Sequence, residues 1–192
     1  MAILMILDIP GGTVEQYDRV NEIMGVDGGN TPDGLISHAA GPSDDGLLIV
    51  DVWESEDALN RFVGEQVMPA MQQAAVPQAQ PRLFPVHNRI DSGAGTEPNV
   101  ILLIESDTFT PEMYDEIVSR MPAHEGDGSG HPAVSHVAAT SGDGMVFVDV
   151  WDSPEHAQSF FESQLGPASE GVDMGPIEPK VIPVHNRFAA TS

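Results

Sequence analysis

The five residues Pro-Val-His-Asn-Arg stand at 85–89 and again, unchanged, at 183–187. They are the end of a longer recurrence. Residues 36–90 lie over 134–188 without a gap: ISHAA (36–40) meets VSHVA (134–138), GLLIVDVWES (46–55) meets GMVFVDVWDS (144–153), and PRLFPVHNRI (81–90) meets PKVIPVHNRF (179–188). One residue out of step, ILMILD (3–8) meets VILLIE (100–105) and TVEQYD (13–18) meets TPEMYD (110–115). The chain of 192 residues is therefore held to two like units, 1–90 and 99–192, joined by the Gly/Ser/Pro linker DSGAGTEP at 91–98. The period is too long, and the copies too few, for a stacked solenoid.

Each repeat carries the same signals in the same order. An apolar run, Ala2–Ile9 or Val100–Glu105, reads as a buried strand. Thr13 and Thr110 read as N-caps of a first helix, with acidic first turns and Pro111 at the first helical position of the second copy. Two short strands follow, at about 35–40 and 46–53 in the first copy, around the turn GPSDDG (41–46). Ser55 and Ser153 are placed to cap a second helix, with acidic residues at its positive end. That helix is expected to break at Pro69 or Pro167. Arg82–Arg89 and Lys180–Arg187 read as the closing strands. The order β-α-β-β-α-β predicts an α+β fold, a ferredoxin-like unit with a four-stranded antiparallel sheet and two helices on one face. The third strand is apolar at both parities, Leu47 and Ile49 against Leu48, Val50 and Val52, so both sheet faces need cover. Packing the two repeats sheet to sheet, as a single-chain pseudo-dimeric α/β barrel, meets that need.

Charge narrows the partners. Thirty Asp+Glu stand against seven Lys+Arg, a net charge of −23. Such a field repels nucleic-acid backbones and anionic membrane surfaces. No apolar run is long enough to span a bilayer, and MAILMILDIP at the N-terminus reads as a strand rather than a signal peptide. The chain has no cysteine, so disulfides and thiolate chemistry are excluded. A cytoplasmic protein is expected, a monomer that acts as a pseudo-dimer, with further self-association left open.

The run VDVWESEDALNRF, with Trp ending the third strand and a Ser-acidic-acidic-Ala helix start, resembles the antibiotic-biosynthesis monooxygenase group of the dimeric α/β-barrel superfamily. The resemblance covers nearly the whole chain, once per repeat. It implies the barrel and a set of activities: cofactor-free oxygenases, haem degraders, haem peroxidase relatives, lactone isomerases, polyketide cyclases and members without known activity. The haem-degrading pattern wants Asn on the first strand and His on the second helix about ten residues after the Trp. This sequence has Asp8 or Glu105, and Val63 or Phe161, in those places. Haem is therefore not expected, nor any other cofactor. Metal binding is not expected either, because no paired-His spacing is present. The loop HEGDGSGH (124–131) reads as a solvated loop.

Polar residues matched between repeats, in strands that want to be buried, must find partners. The matched pairs are His38 with His136, His87 with His185, Asp51 with Asp149, Trp53 with Trp151, Asn88 with Asn186, and Arg89 with Arg187. His38, His136, His87, His185, Asp51 and Asp149 are the candidate catalytic groups. A histidine or carboxylate could take a proton from an activated phenol or carbonyl compound, leaving a carbanion or enolate to react with O2 or close a ring. Trp53, Trp151, Arg89, Arg187, Tyr17 and Tyr114 are the candidate substrate-binding groups. The expected function is a small-molecule enzyme, a cofactor-independent monooxygenase-like or cyclase/isomerase-like activity on a hydrophobic or aromatic substrate. The other reading is a non-catalytic small-molecule-binding or stress-related barrel, with HNR as a clasp in which Arg89 and Arg187 pair with buried carboxylates.

Overall fold

The structure is a computed structural model, described here for residues 1–26, 30–92, 97–121 and 132–189. The loop 124–131 lies outside the described residues. Two compact units emerge, one of Met1–Pro85 with Ile182–Ser192 and one of Val86–Val181.

Unit 1 opens with strand β1 (Ile3–Pro10), helix α1 (Val14–Met24), and strands β2 (Leu35–Ser43) and β3 (Gly46–Trp53). Helices α2 (Glu56–Phe62) and α3 (Met68–Ala74) follow, then strand β4 (Arg82–Asp91), whose first residues belong to this unit. Its sheet runs β4–β1–β3–β2–β9, where β9 is Asn186–Ala189. The first four strands have the ferredoxin-like order. The fifth comes from the end of the chain and pairs antiparallel with β2, Phe188 opposite His38 and Arg187 opposite Ala39.

Unit 2 repeats the plan with β5 (Val100–Ser106), α4 (Pro111–Arg120), β6 (Ser135–Ser141), β7 (Gly144–Trp151), α5 (Pro154–Phe160), α6 (Gly166–Ala168) and β8 (Lys180–Pro183). Its order is β8–β5–β7–β6–β4. Here the later part of β4 supplies the fifth strand, with Ile90 opposite His136. The fourth strand is thus divided. Arg82–Pro85 pairs with β1 in unit 1, and Val86–Asp91 pairs with β6 in unit 2. The closing strand of the second repeat is likewise two strands, β8 and β9, rather than one continuous run over 180–187.

Local chemistry explains the elements. Thr13 and Gln16 form a capping box, with Gln16 N–H donating to Thr13 Oγ1 at 3.2 Å and Thr13 N–H donating to Gln16 Oε1 at 3.1 Å. Thr110, Ser55 and Ser153 accept from the backbone N–H three residues on. The helix does not break at Pro69. A π-helical turn, Val63–Val67, joins α2 to α3, and Phe161–Leu165 does the same before Pro167. A proline ring clashes with the carbonyl four residues back, and a widened turn relieves that clash without ending the helix. Trp53 and Trp151 are wholly buried at the ends of β3 and β7. Among the described residues no helix is long and apolar enough to cross a membrane.

Candidate functional site

In unit 1 the antiparallel register sets His38 of β2 directly opposite Asp51 of β3. Both are only 7 % exposed. His38 Nδ1 lies 2.6 Å from Asp51 Oδ1, and His38 Nε2 lies 2.6 Å from Tyr17 Oη on α1. The second oxygen of Asp51 accepts from Trp53 Nε1–H at 3.3 Å. Asp51 and Trp53 are two residues apart, so they share a face of β3. From β9, Asn186 Nδ2–H donates to Tyr17 Oη at 3.0 Å. Phe188, two residues on, stacks on the His38 ring at 4.5 Å between centroids. His185 binds Asp18 of α1 at 2.7 Å and meets Tyr17 edge-on.

Unit 2 builds the same chain. His136 is opposite Asp149, 2.6 Å from its carboxylate, and His136 Nε2 is 2.9 Å from Tyr114 Oη. Asn88 Nδ2–H donates to Tyr114 Oη at 2.8 Å, and His87 binds Asp115 at 2.8 Å. Two details differ. The buried Trp151 Nε1 has no hydrogen-bond partner among the described residues. Phe147 of β7 stacks on His136, where unit 1 has Ile49.

A cavity of about 280 Å³ opens in unit 1. Tyr17, His38, Asp51 and Trp53 form its polar wall. Met5, Met24, Met68 and Met71 stand among the rest, a side-chain type that adapts to ligand shape. Among the described residues no lysine or arginine lines it. The candidate site residues thus fall into two groups. Tyr17, His38, Asp51 and Trp53 meet at the cavity, and Tyr114, His136 and Asp149 form their counterpart in unit 2. His185, just before β9, and His87 on β4 instead hold α1 and α4.

The arginines do not form the expected clasp as a pair. Arg89 is exposed, and no carboxylate among the described residues pairs with it; Arg187 is half-buried on β9. Arg89→Ala is accordingly expected to shift stability by no more than about 0.5 kcal/mol. Urea denaturation checks this, and a loss of several kcal/mol would restore a buried ion pair to Arg89.

Sequence reasoning missed Asn21. It lines the cavity one helical turn after Tyr17, and its amide favours the Tyr17 phenolate, as does that of Asn186. The i, i+4 spacing with Tyr17 was a usable signal. Asn88 and Asn186 were visible as a matched pair, but their tyrosine partners were not.

Burial pushes both phenols up to about 12, against the opposing amide hydrogen bonds. The unfolded phenols release protons near their ordinary value of about 10. As pH rises from there towards 12 the unfolded state therefore binds fewer protons than the folded one, and stability falls. Each tyrosine contributes roughly 2–3 kcal/mol to that loss. Alkaline denaturation followed by circular dichroism should show it, with Tyr17→Phe and Tyr114→Phe each removing about half of the pH slope.

No family profile and no curated protein matches the chain. Solved structures do. A candidate monooxygenase from Fusobacterium nucleatum superposes with a TM-score of 0.68 at 14% identity, over 98% of this chain and 94% of that one. Another, from Lactobacillus acidophilus NCFM, gives 0.67 at 10% identity over 98% and 96%. A ferredoxin-fold protein of Listeria monocytogenes related to antibiotic biosynthesis monooxygenases gives 0.50 at 12% identity over 97% and 95%. At these identities the likeness is one of fold, an α+β ferredoxin-like architecture. A regulator of staphylococcal pathogenesis shares it at 0.50 and 12% identity, so the fold alone does not select an activity.

Proposed function

We propose that unit 1 is the active half of a small-molecule enzyme that removes a proton from an uncharged, mostly apolar substrate without a cofactor. The observation that carries the reading is the unbroken chain Asp51–His38–Tyr17 at the wall of the cavity. A carboxylate that orients a histidine, which in turn faces a hydroxyl, is an arrangement for moving protons. The carbanion or enolate so formed would react with O2, as in a monooxygenase, or close or rearrange a ring, as in a cyclase or isomerase. The lining supports the substrate class: its surface is apolar, and among the described residues its one buried charge is the Asp51 carboxylate, so an anion would find no lysine or arginine there. The fold shared with candidate monooxygenases is consistent with this reading and does not carry it. The pseudo-dimeric barrel belongs to the same proposal, with the two repeats as the fused counterpart of two ferredoxin-like subunits. The gapless match of 36–90 with 134–188 supports it.

A second reading has its own observation. Both ring nitrogens of His38 are already engaged, as in a purely structural network. On that reading the cavity only binds. Exchange of the acidic C–H protons of 2-tetralone, an uncharged bicyclic ketone, separates the two when followed by NMR in D2O. Using the Tyr114→Phe chain leaves unit 1 with the only intact relay. Exchange above the buffer rate that is lost in His38→Gln supports the enzyme. Bound ketone with no catalysed exchange supports the binding protein.

A further inference from the structure

We infer that Tyr17, rather than His38, is the catalytic group that meets the substrate, and that Asn186 on the C-terminal strand is the positioning residue that aims it. The inference rests on the proton-removing reading of unit 1 and assigns its roles.

The direction of each hydrogen bond follows from the chemistry of the partners. Ionised Asp51 can only accept, so His38 carries its proton on Nδ1 and presents a lone pair at Nε2. Tyr17 must then donate its O–H to Nε2. Asn186 can only donate through its amide nitrogen, so it takes one lone pair of Tyr17 Oη and leaves the other for an incoming proton. His38 has no ring nitrogen left for a substrate, and Phe188 covers one face of its ring. A ligand in the cavity can exchange a proton with His38 only through Tyr17.

The step balances. A substrate C–H or O–H proton passes to Tyr17 Oη, while the Tyr17 proton passes to His38 Nε2. The substrate is left as a carbanion, enolate or phenolate. The imidazolium that results is held by Asp51. The reverse transfers restore the site. Because burial disfavours a free phenolate at Tyr17, its proton leaves only as another arrives. The amide of Asn186 stabilises the charge that develops on Oη in passing.

Asn21 also separates the halves. Its counterpart in the repeat is Val118, which is exposed, so Tyr114 has the Asn88 amide but no second one from its own helix. Unit 1 thus sets an amide of its first helix on the wall of its cavity.

The chain has only two tyrosines, so Tyr114→Phe leaves Tyr17 as the sole phenol. Labelled with 3-fluorotyrosine, a more acidic phenol, that chain reports the ionisation of position 17 by fluorine NMR. Asn186→Leu should raise this pKa by about one unit, as expected when a hydrogen bond to a charged oxygen is lost. Asn88→Leu, in the other half, should leave it unchanged. If Asn186→Leu does not fold, Asn186→Ala reads the same shift. An unmoved pKa overturns the positioning role. In the 2-tetralone assay on the Tyr114→Phe background, Tyr17→Phe should slow exchange at least about 100-fold. Exchange that survives in Tyr17→Phe but is lost in His38→Gln overturns the role of Tyr17 and leaves the proposed function standing. Absence of catalysed exchange in the Tyr114→Phe chain itself overturns both.

Discussion

Asp51→Asn, made in the Tyr114→Phe chain, is expected to fold normally and to exchange 2-tetralone about 10³–10⁴-fold more slowly, as when a relay histidine is held in the wrong tautomer. The substitution keeps the shape of the side chain and changes only what it can donate. The indole N–H of Trp53 is a donor and nothing else, and it faces Asp51 Oδ2. It therefore fixes the oxygen of the new amide towards itself and turns the NH2 towards His38 Nδ1. Nδ1 must then accept, so Nε2 carries the proton and donates to Tyr17. The polarity of the chain is reversed, and Tyr17 can no longer pass a proton inward. Nitrogen-15 NMR of His38 should show the change of tautomer. Undiminished exchange with the tautomer inverted would sink the relay. In unit 2 the amide of Asp149→Asn would lack this constraint, because Trp151 Nε1 makes no such bond. His136 should keep its tautomer there.

Gly41→Ala is expected to cost about 3 kcal/mol or more, measured as a lower urea midpoint with an unchanged slope. Gly41 lies on β2, and a Cβ there would stand 1.9 Å from the carbonyl oxygen of Pro183 and 2.9 Å from Ile182 Cγ2. The nearer atom is backbone and cannot swing aside. The segment that leads into β9 must move away, and it is anchored by a His185 N–H bond to Ala40 O at 2.8 Å. Asn186 and Phe188 would be carried off Tyr17 and His38 with it. The loss of stability should therefore come with slower exchange. A melt within 1 kcal/mol of the parent would mean that the Pro183 carbonyl stands clear of Gly41.

Much of this was legible because short-range chemistry decides it. Thr13, Ser55, Thr110 and Ser153 are caps in sequence and in structure, because a cap needs only residues three apart. His38 and Asp51 were marked as matched polar residues in strands that had to be buried, and the hairpin register brings them together. The strand edges were not legible. PVHNR reads as a strand whichever edge it joins, and the partner of Asn186, Tyr17, is 169 residues away. Nor was the course of the helix past Pro69, since a π turn has no residue pattern of its own. Arg89 misled for a different reason. Scarcity of basic residues implies that each has a use, but it says nothing about burial, and Arg89 is exposed.

The π turns hold one residue more than an α-helix of the same rise needs. Each residue of an α-helix turns the chain by about 100°. Val63 and Val67 stand on the wall of the unit 1 cavity, as do Phe62 before them and Met68 and Met71 after them. The added residue resets the angular phase between the stretch that ends at Phe62 and the stretch that begins at Met68. The methionines can then face the same hollow as the phenylalanine without any break in the rod. Deleting one residue between Val63 and Val67 would swing one stretch by more than a quarter turn against the other. The outline of the cavity is thus governed by how many residues the helix contains as well as by which ones they are.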